Sequence, residues 1–322
     1  MNPTDRAVLV HADGLTKLHR RRGGEPVHAV RGVDFRIVSG ETYGFLGPNG
    51  AGKSTTMRMI CCVSEASGGT LRVLGLDPAT DGSRIRSRIG VVPQDDTLDR
   101  ELTVRENLLV YGRYFGMSRA ARAARADELL AFARLEEKAG TRVDTLSGGM
   151  RRRLTIARSL VNSPEILILD EPTTGLDPQA RHLLWERLHQ LKEQGVTLIL
   201  TTHYMDEAEQ LCDRLAVMDQ GRIVAESTPA ALIAEHAGRE VLELRFDRQD
   251  RATALDKVRT LTGSGAADRV EELPDRVLVY GPDADAAQEQ VQALGLSPTA
   301  TLVRRAGLED VFLRLTGRTL VD

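Results

Sequence analysis

Residues Val33-Asp34-Phe35-Arg36-Ile37-Val38 alternate apolar and polar side chains, the period of a strand buried on one face. Tyr43-Gly44-Phe45-Leu46 is a short apolar run that leads directly into a glycine-rich segment. The stretch from Ser54 to Cys62, with Met57, Met59 and Ile60 apolar, reads as the helix after it. Residues Arg119 to Ala139 are dense in Ala, Arg, Glu and Leu and predict another helix. The near-continuous apolar runs Ile166–Leu169 and Val196–Leu200 suit central strands of a parallel sheet covered on both faces. From about residue 235 the texture changes. Val241–Phe246 and Val277–Tyr280 look like strands, Ala284–Leu294 like an Ala-rich helix, and Gly263-Ser264-Gly265 like a loop. The pattern predicts two domains, residues 5–234 and a small α+β unit over 235–322. Near the end, Leu308, Val311, Phe312 and Leu315 fall on one face of a helix. That face needs cover, either inside its own domain or from a second copy of the chain.

Composition narrows the function classes. At 322 residues the chain is long enough for about two domains. With 41% hydrophobic and 28% charged residues it is not a disordered chain. The 43 basic and 46 acidic residues give a net charge of −3, so no global basic field points to nucleic acid. No apolar run approaches the roughly 20 residues that a membrane span needs. The N-terminal MNPTDRAVLVHADG lacks the apolar core of a signal peptide. Three cysteines, Cys61, Cys62 and Cys212, are too few for a disulfide scaffold and lack zinc-ligand spacing. The expectation is a cytosolic protein.

The chemistry is concentrated in a few segments. Gly47-Pro48-Asn49-Gly50-Ala51-Gly52-Lys53-Ser54-Thr55 fits G-x-x-x-x-G-K-[ST], after an apolar strand and before a helix, which is the context the motif requires. Its glycines let backbone N–H groups close around phosphate oxygens, and the helix N-terminus adds a favourable dipole. Lys53 can then reach the outer phosphates, and Ser54 can offer a hydroxyl to Mg²⁺. Leu146-Ser147-Gly148-Gly149-Met150 precedes Arg151-Arg152-Arg153-Leu154-Thr155-Ile156-Ala157-Arg158. Ser147 is a good N-cap for that helix, and the two glycines leave its first amides open to an anion, although such a cap also suits a purely structural helix. Ile166–Leu169 ends in Asp170-Glu171, two adjacent carboxylates after a buried strand that packing alone does not explain. Asp170 can support Mg²⁺ and Glu171 can face a water. Asp177 follows in Thr174-Gly175-Leu176-Asp177, and His203 follows the strand Val196–Leu200 and Thr201-Thr202.

Taken in order, these segments over residues 5–230 resemble the ATP-binding subunit of an ABC transporter. The resemblance implies an α/β P-loop ATPase core: a parallel sheet, an antiparallel β subdomain and a helical subdomain at about 95–160, plus the small C-terminal α+β domain. It makes Gly47–Thr55 the Walker A loop, Gln94 in Val91-Val92-Pro93-Gln94 the Q-loop glutamine, and Leu146–Met150 the signature. Asp170 then closes Walker B, Glu171 is the catalytic base, Asp177 the D-loop aspartate and His203 the switch histidine. Two positions depart from the usual pattern. Met150 stands where the signature usually ends in Gln. His19, beside Arg20-Arg21-Arg22, stands where an aromatic residue, often Tyr, usually stacks on adenine. The resemblance implies ATP and Mg²⁺, the metal at Ser54, Gln94 and Asp170, and catalysis by Glu171, His203 and Lys53. The Ser-Gly-Gly-Met-Arg-Arg-Arg segment, the run Asp170–Met205 and the tail Gly307–Phe312 are similar to the daunorubicin-resistance and nodulation ATP-binding proteins, an exporter branch. That branch implies a homodimer seated on a separate dimeric transmembrane permease at the cytoplasmic face of the membrane. Its cargo would be a drug, lipid-like or oligosaccharide-type molecule, and no nucleic acid would be bound. A non-transport ABC ATPase is the alternative, but one motif set and no sustained heptads disfavour it. A regulatory cassette is disfavoured by the intact Lys53, Asp170, Glu171 and His203.

Overall fold

The computed structural model describes residues 6–20, 25–247, 249–265 and 267–317, so Arg21 and Arg22 lie outside the described residues. The chain divides into two compact units after Glu226, ahead of the boundary expected at 234–235. No helix among the described residues is long and apolar enough to cross a membrane.

The first unit opens with β1 (Val8–His19), β2 (Val27–Val38), β3 (Thr42–Leu46), α1 (Lys53–Ile60), β4 (Gly68–Val73), α2 (Gly82–Arg86) and β5 (Ile89–Val92). A helical region follows: α3 (Val104–Tyr114), α4 (Arg119–Ala133) and α5 (Gly148–Ser159). The chain then returns through β6 (Ile166–Asp170), α6 (Pro178–Glu193), β7 (Thr197–Thr202), α7 (Met205–Leu211), β8 (Arg214–Asp219) and β9 (Arg222–Ser227). The central sheet has the order β5-β6-β7-β3-β8-β9, and its strands from β5 to β8 run parallel. A second, antiparallel sheet has the order β2-β1-β4. The alternation read at Val33–Val38 places Val33, Phe35 and Ile37 inward, and they share a core with Tyr43, Phe45, Met59 and Ile60. Phe35 and Phe45 meet edge to face at 5.2 Å, a favoured aromatic geometry. β3, β6 and β7 are buried at nearly every position, which is why their sequences read as apolar runs without alternation.

The predicted helix from Arg119 to Ala139 is shorter than expected. α4 stops at Ala133 because Arg134 turns left-handed (φ 52°), and a single 3₁₀ turn over Glu136–Lys138 follows. Local propensity alone does not encode that stop.

The second unit holds α8 (Pro229–His236), β10 (Glu240–Arg245), α9 (Arg251–Arg259), α10 (Leu261–Ser264), β11 (Arg269–Glu272), β12 (Val277–Gly281), α11 (Ala284–Ala293), β13 (Ala300–Arg305) and α12 (Leu308–Thr316). Its antiparallel sheet, β11-β12-β10-β13, is the split βαβ arrangement of ferredoxin-like folds. The segment expected as a Gly263–Gly265 loop is instead the end of the short α10, which closes on Gly265 at φ 79°. Leu242, Leu244, Val277 and Val279 pack with Val258 and Val291 of α9 and α11 on one face of the sheet. Val241, Leu278 and Tyr280 pack with Leu313 of α12 on the other. Leu308, Val311 and Phe312 are fully buried, Leu315 is half-buried and α12 lies against α8, so most of the C-terminal helix face is already covered within the chain. A dimer clamp built on that face is therefore set aside.

Candidate active site

Four adjacent parallel strands end at one edge of the central sheet, and each delivers one of the segments singled out in the sequence. β5 runs into Pro93-Gln94, β6 ends at Asp170, β7 runs into His203, and β3 runs into Gly47. The carboxyl ends of such strands are where α/β sheets bind ligands. The sequence order of the motifs is scrambled by the crossovers, and the sheet order β5-β6-β7-β3 places them side by side.

Two glycines of the first loop are required by contact. A Cβ on Gly47 would collide with the Met218 carbonyl, and one on Gly52 would strike the Ala29 carbonyl at a residue already at φ 104°. Gly52 immediately precedes α1, so the first amides of that helix open onto the loop. Lys53 is buried, and its Nζ donates to the carbonyls of Gly47 and Pro48 at 2.5 and 3.0 Å. Burial pulls the Lys53 pKa down, opposed by the negative field of Glu171 and Asp170. The ammonium is thus held in a loop whose carbonyls a phosphate can displace.

Ser54 Oγ lies 3.2 Å from Asp170 Oδ1. A hydroxyl and one carboxylate form the sparse, hard oxygen set that Mg²⁺ uses together with waters and phosphate oxygens, so these residues fit the ion. Pairing of β6 with β7 sets Thr201 opposite Asp170, and the Thr201 hydroxyl donates to Asp170 Oδ1. The same hydroxyl, with the Thr201 carbonyl, receives the Glu171 N–H at 3.1 and 3.2 Å.

Glu171 is 8% exposed and sits at φ 45°, a left-handed conformation that non-glycine residues adopt only under constraint. Its Oε2 accepts hydrogen bonds from Gln94 Nε2 and Thr174 Oγ1, each at 3.2 Å, and its Oε1 lies 3.2 Å from His203 Nδ1. His203 in turn lies against Tyr204, the rings tilted by 41° with centroids 4.1 Å apart. Among the described residues Gln94 therefore bonds to Glu171 and makes no hydrogen bond to Ser54 or Asp170, the other two residues expected at the metal.

The other predicted residues lie apart from this cluster. Ser147 caps α5 by accepting the Met150 N–H at 3.3 Å, with Gly148 and Gly149 as the first residues of the helix. Asp177 caps α6 by accepting the Ala180 N–H at 2.9 Å. His19 is exposed at the end of β1, opposite Val27. None of these bonds to the Lys53, Asp170 or Glu171 side chains among the described residues. Sequence reasoning missed Arg152, Thr174 and Thr201. Thr201-Thr202 at the end of an apolar run was a weak signal for a polar strand end. Arg152 had none that separated it from Arg151 and Arg153.

Two family models match. That of the ABC transporter covers residues 30–174, and that of the nodulation factor export protein NodI, C-terminal domain, covers residues 254–317. The Nod factor export ATP-binding protein I of Mesorhizobium japonicum is 51% identical over 98% of this chain and 88% of its own length. The protein of the same name from Rhizobium meliloti is 50% identical over 98% and 90%. This chain belongs to the ATP-binding subunits of ABC transporters. Among solved structures, a dimeric ATP-binding cassette in a post-hydrolysis state bound to ADP and Pi superposes with a TM-score of 0.63 at 30% identity, over 68% of this chain and 98% of that one. The cbiO1 subunit of Clostridium perfringens, part of the ABC transporter complex cbiONQ, gives 0.64 at 29% identity, over 71% and 91%. The first unit is thus an ABC cassette of the exporter branch, and its activity is ATP hydrolysis coupled to transport.

Proposed function

We propose that this cassette hydrolyses ATP at the Lys53–Asp170–Glu171 cluster and drives export of an oligosaccharide-type molecule through a separate membrane permease. The observation that carries the site assignment is the placement of Glu171 between Gln94 and His203, at the strand ends that also carry the Lys53 loop. Residues Gly47 to Thr55 hold the phosphates through backbone amides, and Lys53 moves its charge from loop carbonyls to phosphate oxygens. Ser54 and Asp170 would hold Mg²⁺, with Gln94 at the neighbouring strand end, and the bound ion would supply electrostatic stabilisation of phosphoryl charge. Glu171 accepts a proton from the attacking water. Hydrogen bonds from Gln94 and Thr174 hold its carboxylate in place with His203 beside it, and the buried setting keeps that geometry fixed.

Ser147, Gly148, Gly149 and Asp177 complete the site of a second copy. Their separation from the Lys53 cluster in one chain supports this reading, because the α5 N-terminus then has no anion of its own to face. Two copies sandwich two nucleotides head to tail, with His19 against adenine. A groove of about 320 Å³ between the central sheet and the helical region, lined by Arg86, Ile89, Val91, Tyr111, Tyr114 and Phe115, is suited to a helix of the permease. The chain then works at the cytoplasmic face of the membrane. The carbohydrate-type cargo rests on the names of the relatives, since cargo contacts belong to the permease. The test is reconstitution with the adjacent permease in vesicles. ATP-dependent movement of a lipo-oligosaccharide supports the reading, and movement of none while a drug is moved replaces the cargo.

A further inference from the structure

Three consecutive arginines follow the first turn of the α5 helix, and only the middle one is buried: Arg152 is 7% exposed, while Arg151 and Arg153 reach the surface. Its guanidinium has five N–H donors, and the structure gives it five acceptors, all main-chain carbonyls at 3.2 Å or less. Nε donates to Pro172. One terminal nitrogen donates to Pro93 and Gln94, and the other to Asp170 and Glu171. These carbonyls belong to two turns far apart in sequence: the one that delivers Gln94 and the one that delivers Asp170 and Glu171. The Glu171 turn holds a left-handed residue that its neighbours must restrain. Burial pulls the Arg152 pKa down, opposed by the negative fields of Glu207 of α7, Asp170 and Asp96. Glu207 itself lies against Thr202, Thr173 and Trp185, at the end of the strand that carries His203.

We propose that Arg152 is a positioning residue that locks the Gln94 turn to the Glu171 turn, so that a displacement of the signature helix or of the Gln94 segment moves the Glu171 carboxylate. The geometry explains why the group must be a guanidinium. A planar fork can serve carbonyls on two sides at once, whereas an ammonium is a point donor with three hydrogens. It also supplies a route from the docking groove to the reacting atoms. Val91 of β5 lines the groove, and Pro93-Gln94 follow it into the Arg152 clamp. This inference rests on Glu171 being the base.

The experiment compares the full-length wild type, Arg152→Lys, Arg152→Gln, Gln94→Ala and the Arg152→Lys/Gln94→Ala double variant. ATP hydrolysis gives kcat and KM, and equilibrium binding of ATP without divalent metal gives Kd. Arg152→Lys is expected to lower kcat on the order of 100-fold, because a misplacement of about 1 Å at the reacting centre has that effect, while KM and Kd stay within about threefold. The double variant is expected to be no slower than the slower single variant, since both changes free the same Glu171 carboxylate. Arg152→Lys at the wild-type kcat, or strictly additive losses, would overturn the inference. So would failure of both Arg152 variants to fold, which would make Arg152 a structural residue only. A wild-type chain without ATPase activity would instead overturn the functional reading beneath it.

Discussion

Gln94 Nε2 donates a hydrogen bond to Glu171 Oε2 across 3.2 Å, joining two residues that the sequence separates by a helical region and the signature. The bond has a chemical consequence. It fixes one carboxylate oxygen and leaves the other toward His203, so the orientation of the carboxylate depends on both neighbours.

Replacing Glu171 by Gln keeps the size and removes the base. Turnover is expected to fall by about 10²- to 10⁴-fold while ATP binding persists. Phosphate release and size exclusion with ATP are the measurements, and the expected chromatogram shows an ATP-stabilised dimer. Wild-type turnover by the variant would remove Glu171 from this role.

Lys53→Ala acts earlier in the cycle. It deletes a charge-assisted phosphate contact, so nucleotide affinity should drop by about 1.5–3 kcal/mol. Titration with a fluorescent ATP analogue reads this directly, and an unchanged Kd would count against the loop as the phosphate cradle.

Tyr114 is 78% exposed on the rim of the proposed permease groove and touches none of the nucleotide-site residues described above. Tyr114→Glu should leave the ATPase rate of the isolated chain unchanged and weaken co-purification with the permease, because a charge replaces an apolar contact. Equal recovery of the permease with both chains would place the docking surface elsewhere.

The second unit should lose stability in acid. Burial pushes the Asp310 carboxyl up, but hydrogen bonds from Arg304, the Gly307 N–H and Tyr280 outweigh it, and the pKa ends below the usual carboxylate value. Glu243 is shifted the same way, its burial outweighed by Arg304 and Arg276. For groups depressed in the folded state, the stabilisation is full above the unfolded pKa of about 4 and is lost as pH falls through the folded value. Asp310 is 1% exposed and Arg304 binds both of its oxygens, so Asp310→Asn should cost about 3 kcal/mol at neutral pH and flatten the acid dependence. Hydrogen exchange over residues 227–317 at pH 7 and pH 4 checks it. Equal protection in variant and wild type at pH 7 would show that the network contributes nothing.

A chain ended after Glu226 tests the division into units. It is expected to bind ATP with unchanged affinity, since every residue of the proposed nucleotide site precedes that cut. Because the α12 face is covered within the chain, the truncated and full chains should sediment alike without nucleotide. Dissociation of a nucleotide-free dimer on truncation would restore a clamp, built on a surface other than that face.

Several features were legible in the residues because their cause is local. The phosphate loop reads directly, since its glycines, lysine and serine act at fixed spacing on one turn. The apolar runs Ile166–Leu169 and Val196–Leu200 announced central strands because burial on both faces leaves no polar side. Ser147 was readable as a cap because a cap is a bond across three residues, whereas the Asp177 cap on α6 was not read from the residues. Other features had no local cause. Arg151, Arg152 and Arg153 are chemically equal in sequence, and only the rotation of α5 against the β5 and β6 strand ends turns the middle one inward. The end of α4 at Arg134 and the left-handed Glu171 are backbone states that residue type disfavours. Packing and hydrogen bonds from distant segments hold them there. The cover on the α12 face is of the same kind: periodicity showed that the face must be buried, but only the folded chain could supply what buries it.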